Sequence, residues 1–151
     1  MPRKYAGFSA VAGVTNGTNI QIISGAGTAA VRPKLYDLVI GSRATADSAG
    51  IYHLLDTSAA STHTNSNTPS RLDAQDAAAT ATLKGNSGGA DATFGTVLYL
   101  PIPLNQRATF RWVAVPGGEV NLPASTTLGW GLRSIAASPT FVVDACVYWE
   151  E

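Results

Sequence analysis

Two histidines, one cysteine and two aspartates three residues apart are the side chains of this 151-residue chain best suited to chemistry. His53 lies in IYHLLD, where alternation places it on one face with Ile51 and Leu55, so it reads as a strand histidine with a local hydrogen-bond partner. His63 sits in a Ser/Thr/Asn-rich stretch with no His, Cys or carboxylate at metal-ligand spacing. Cys146, the lone cysteine, cannot form an intrachain disulfide. Its strand-like setting, FVVDACVYWEE, suits a packed or interfacial thiol better than a reactive nucleophile. Asp73 and Asp76 could pair as carboxylates or share a calcium ion. The repeated oxygen-ligand spacing of a calcium loop is missing, however, and helix capping with solvated acids accounts for them. GNSGG, from Gly85, reads as a flexible turn without a Walker lysine or a strong following helix, and no GxSxG elbow is present. The residues therefore predict no enzyme, no cofactor and no metal.

The elements that carry these side chains read as strands. Pro103 to Glu119, PLNQRATFRWVAVPGGE, joins a strand, a tight polar loop, a second strand and a Pro-Gly-Gly turn. Before the loop, Leu98, Leu100, Ile102 and Leu104 share one face; after it, Phe110, Trp112 and Ala114 alternate with Thr109, Arg111 and Val113. Comparable alternations, punctuated by Gly, Pro, Asn, Ser and Thr, predict about eight strands. They run over Phe8 to Val14, Asn19 to Ser24, Lys34 to Gly41, Gly50 to Asp56, Thr96 to Leu104, Ala108 to Val115, Thr127 to Ser134 and Thr140 to Trp149. This is the pattern of an all-β, two-sheet sandwich rather than of a βαβ protein.

Thr57 to Gly95 is too long to be a structureless connection in a compact domain. Ser70 offers an N-cap and Asp73 an acidic first turn, with alanines from Asp76 through Leu83 to continue a short helix; Thr80 and Thr82 leave a strand equally open. The polar flanks SAASTHTNSNTPS and KGNSGGADATFG are expected to be exposed or ordered by a partner, which makes this stretch a candidate binding surface.

The length suits one domain with one core. Net charge is zero and only 13% of residues are charged, against a usual ~25%, which suits a surface packed against neighbours and offers no electrostatic footprint for nucleic acid. The start, MPRKYAGFSAVAGV, is too weak for a secretory signal and too short to span a bilayer, so the chain is expected to be made in the cytosol and to be soluble. Met1 to Ala10 is read as an N-terminal arm, with 11–151 as the sandwich domain. In that reading Tyr5 and Phe8 are aromatic anchors beside Arg3 and Lys4, docking on an acidic surface; the other reading is that these residues begin the first strand. Trp112, Trp130, Trp149, Phe110 and Phe141 supply the large apolar areas, most of them to the core.

RPKLYDLVIGSRATADSAGIYHLLDTSAAST, TPSRLDAQDAAATATLKGN, PLNQRATFRWVAVPGGEVNLPAS and the closing FVVDACVYWEE, in that order, resemble the capsid decoration, or cement, proteins of tailed bacteriophages that have a jelly-roll fold. The resemblance covers about Val31 to Glu151, and LNQRATFRW followed by Pro-Gly-Gly-Glu is its most specific part. It implies a trimeric jelly roll on the outside of an icosahedral head, bridging neighbouring subunits of the major capsid protein. Candidate capsid or subunit contacts are then Arg3, Lys4, Tyr5, Phe8, Arg107 and Arg111, the last two as anchors for carboxylates across an interface or as solvated surface arginines. Two other classes fit a β-sandwich. A carbohydrate- or receptor-binding module would show an exposed Trp or Tyr platform beside polar side chains. A jelly-roll hydrolase would need a convergent polar pocket, usually with a metal, for which two separated histidines are poor material.

Overall fold

The computed structural model describes residues 2–11, 18–23, 25–26, 29–42, 49–62, 68–85, 90–105, 107–122, 124–125, 127–135 and 143–151. Among these the strands are β1 (Lys4–Val11), β2 (Thr18–Ile23), β3 (Gly25–Ala26), β4 (Ala29–Ala30), β5 (Lys34–Ser42), β6 (Ala49–Ala59) and β7 (Ser70–Arg71). They continue with β8 (Thr82–Gly85), β9 (Thr93–Asn105), β10 (Phe110–Val113), β11 (Val120–Asn121), β12 (Gly129–Ser134) and β13 (Val143–Glu150). All eight expected strands are present, with shifted ends; Ala12 to Val14, Ser24 and Thr140 to Val142 of the expected spans lie outside the described residues.

Two antiparallel sheets pack face to face as a β-sandwich. One runs β10-β5-β13-β1-β7, with β11 also on the outer edge of β5; the other runs β8-β2-β12-β6-β9; β3 and β4 form a separate pair. The chain crosses repeatedly between sheets: β1, β5, β10 and β13 lie in the first and β2, β6, β9 and β12 in the second.

Period-two alternation fills the space between the layers. Leu35, Leu38 and Ile40 of β5 meet Ala145, Val147 and Trp149 of β13 and Tyr5 of β1; Tyr52, Leu54, Trp130, Leu132, Ile102 and Leu104 close on them from the other sheet. Each fully buried aliphatic or aromatic side chain contributes ~1.5–3 kcal/mol. Gly7, on the inward face of β1, lets the layers approach closely: a Cβ there would stand 2.7 Å from Leu83 Cδ2 and 3.1 Å from Trp149 Cζ3.

Two expectations change. The described part of the expected arm is not separate, because Lys4–Val11 forms β1, held between β13 and β7. Tyr5 is completely buried, its ring centroid 5.8 Å from that of Trp149, so its apolar area is already spent in the core and is closed to a partner. Nor does a helix form over Ser70 to Leu83. Asp73 Oδ1 accepts the Gln75 N–H (2.9 Å) in a turn, and the chain then runs irregularly, with a bend at Thr80 and Ala81, into β8. Its backbone groups are bonded sideways instead: Tyr5 Oη donates to the Ala77 carbonyl (3.0 Å), and the Thr80 and Ala81 N–H groups donate to the Glu151 carboxylate (2.9 Å each).

Candidate functional site: the outer face of the six-stranded sheet

Because Tyr5 and Gly7 turn inward, Lys4, Ala6 and Phe8 must turn outward, and the register carries them across the sheet. One cross-strand row reads Phe8, Cys146, Val39, Arg111; the next reads Ala6, Tyr148, Asp37, Val113; the third reads Lys4, Glu150, Lys34. A register shift between Tyr148 and Trp149 leaves Tyr36 without an opposite number on β13, and its ring lies 6.4 Å from that of Tyr148 at a 40° tilt. The result is an outer face of aromatic and aliphatic groups, with Phe8 51% and Val113 54% exposed.

The charges on this face are largely compensated. Arg111 grips Asp37 with both arms of its fork, Nε to Oδ1 at 3.1 Å and Nη2 to Oδ2 at 2.6 Å. The bond and the carboxylate's charge raise the guanidinium's pKa further, while Asp37 itself is buried beneath it. Such bidentate pairs are directional and stronger than neutral hydrogen bonds. Lys34 Nζ reaches Glu150 at 3.4 Å, an exposed pair worth ~0–1 kcal/mol, and Lys4 Nζ lies 5.6 Å from the centre of the Tyr36 ring. Burial, then the carboxylates of Asp37 and Glu150, push the Tyr36 phenol up; a side-chain hydrogen bond with Cys146 is the main cause that raises Tyr148.

Of the residues singled out from the sequence, Lys4, Phe8 and Arg111 share this face, the first two on β1 and Arg111 three strands away on β10. Tyr5 faces the core. Arg3 is at the rim, its backbone paired in both directions with Glu151 (3.1 and 2.9 Å). Arg107 is exposed in the turn from β9 to β10, where its N–H caps Asn105 Oδ1 (2.9 Å). Cys146 is half-buried on the face, opposite Phe8 and Val39. His53 lies on β6, in the other sheet, opposite Arg133 and Pro101; His63 and most of GNSGG lie outside the described residues. Asp37, Tyr36 and Tyr148 were missed. The adjacent Tyr-Asp in KLYDLVIGS, which interrupts an otherwise regular alternation, was the available signal.

Among the described residues no three His, Cys, Asp or Glu side chains converge on a metal-sized site. No family model, curated protein or solved structure matches the chain. The face combines aromatic rings with an arginine over a desolvated carboxylate and carries little net charge, residue types that are enriched where proteins bind one another.

Proposed function

We propose that this protein is a structural component of a bacteriophage virion, decorating the outer surface of the capsid. It bridges subunits of the major capsid protein, assembles as a trimer, and is made in the host cytoplasm. The sandwich is read as a jelly roll. Support for that topology is the strand order: β1-β13-β5-β10 in one sheet faces β2-β12-β6-β9 in the other, the pairing expected when an eight-strand chain folds as two Greek keys. Support for a docking role is the outer face of the six-stranded sheet, where Tyr36, Tyr148 and Val113 neighbour the Arg111–Asp37 pair and Phe8 lies two strands beyond Asp37 on β1. Lys4, Phe8 and Arg111 are the proposed contacts, with Arg3 at the rim and Arg107 beyond the opposite end.

Electron microscopy of the virion tests this directly: density for the chain is expected on the outer shell, and its absence there would overturn the proposal. With undecorated capsids, Phe8→Ser is expected to weaken binding while leaving the melting temperature within a few degrees of the parent, because that ring is half exposed.

One observation favours a second reading, in which the same face binds a saccharide. Tyr36 and Tyr148 form an angled aromatic platform beside Asp37 and Arg111. Retention on a glycan array that Tyr148→Ala abolishes would select this reading; no glycan retained by the parent would reject it.

A further inference from the structure

Val115 is 72% exposed, the most exposed of the large hydrophobic side chains among the described residues. It is held rigidly. Val115, Pro116, Gly117 and Gly118 form a tight turn closed by the Gly118 N–H on the Val115 carbonyl (2.8 Å), with Gly117 at φ +83°. Proline at the second position and a left-handed glycine at the third define a type II turn. Both stems are tied to the edge of the six-stranded sheet, the Ala114 N–H to the Tyr36 carbonyl (2.9 Å) and the Leu122 N–H to the Pro33 carbonyl (3.0 Å). An apolar knob fixed in this way loses little freedom on docking.

The opposite edge of the same sheet carries a groove of about 420 Å³, walled by Pro69, Ser70, Arg71, Ala74, Ala78 and Ala79. It too is braced, by Arg71 Nη1 on the Asp76 carbonyl (2.7 Å) and the Leu72 N–H on the Lys4 carbonyl (3.0 Å). Knob and groove complement each other in charge: Glu119 closes the turn, its carboxylate accepting the Gly117 N–H (3.1 Å), and Arg71 lines the groove with further donors to spare. They also stand level. A single cross-strand row runs Val120, Leu35, Trp149, Tyr5, Arg71 from one edge of the sheet to the other.

We propose that the Val115–Pro116 knob of one copy of this chain seats in the Pro69/Ala78 groove of a second copy, with Glu119 paired to Arg71, in a head-to-tail interface that closes into a ring. Head-to-tail contacts give rings when the rotation closes and filaments when it does not. Contact sites at one level along the strands put little rise between successive copies and so favour the ring. This rests on the self-association in the function proposed above, and is independent of where the assembly is displayed.

Light scattering on the purified chain, with Val115→Asp and Ala78→Arg as variants, tests it. The parent is expected at a small multiple of the one-chain mass, and each variant at the mass of one chain with an unchanged circular dichroism spectrum, since both positions are exposed. Mixing the two variants is expected to restore a dimer and nothing larger, because the intact knob of the Ala78→Arg chain fits the intact groove of the Val115→Asp chain while the reciprocal contact stays blocked. An oligomeric parent that Val115→Asp leaves unchanged would overturn the knob and groove alone. A monomeric parent would overturn self-association with it, and a mixture that stays monomeric would rule out a head-to-tail contact.

Discussion

Trp130 and Trp149 are both fully buried, yet their indole N–H groups have different surroundings. Trp149 Nε1 donates to Glu151 Oε1 (3.1 Å), which also accepts the Ala81 N–H, while Glu151 Oε2 takes that of Thr80. No acceptor for Trp130 Nε1 is found among the described residues. A hydrogen bond to a charged group contributes roughly 1.5–3 kcal/mol, and a donor that is already unpaired has no such bond to lose. Trp149→Phe is therefore expected to destabilise the fold more than Trp130→Phe, by about 1 kcal/mol or more in urea titrations. Equal losses would mean that the Glu151 clasp contributes nothing net. That both tryptophans belong to the core was legible in the alternation around them. The clasp was not, since Glu151 and Thr80 are 71 residues apart and nothing local links them. The Arg111–Asp37 pair, 74 residues apart, was hidden for the same reason.

At the level of elements, β9 is the long edge strand of its sheet, with the short β8 at the other edge, and long open edges invite further pairing. Alternation put Leu98, Leu100, Ile102 and Leu104 on one buried face, but only Ile102 and Leu104 are buried; Leu98 is 44% exposed. Register shifts against β6 around Leu55 and Thr57 turn the first half of the strand aside. Gly95 permits this, because a Cβ there would collide with the Asp56 carboxylate, which accepts the Val97 N–H (2.9 Å). The second half is protected differently. Pro101 and Pro103 pair with His53 and Ile51, and prolines fit a ladder where the missing N–H would face away from the partner strand. They thus remove donors from the free edge. Pro101→Thr with Pro103→Thr is expected to fold and then to aggregate through β9, read as rising light scattering and thioflavin fluorescence under conditions where the parent stays clear. A double variant as soluble as the parent would show that the bulge alone protects the edge. Gly7→Val, by contrast, is expected to lower stability by ~1–3 kcal/mol through overpacking against Leu83 and Trp149, measurable as a lower denaturation midpoint.

Across the whole molecule, the strands were legible because a period of two is a local property. Their assignment to two sheets was not, because β1 pairs with β13, at the far end of the chain. The same long-range closure buries Tyr5 and Tyr52, and it makes alkaline pH a probe of the sandwich as a unit. All five, Tyr5, Tyr36, Tyr52, Tyr99 and Tyr148, have phenol pKa values raised above the ordinary value. Burial is the first cause for four of them, overriding in Tyr52 the opposing hydrogen bond with Ser134; for Tyr148 the first cause is its hydrogen bond with Cys146. An unfolded tyrosine titrates near pH 10. A phenol raised above that value favours the fold in its neutral form, so the contribution is fully present below about pH 10 and is lost as the pH climbs through the folded values. Phenolate absorbance is therefore expected to rise late and together with the loss of the β-sheet circular dichroism signal. Tyr5 and Tyr52 titrating near pH 10 with that signal intact would show that the two sheets do not shield their rings from water.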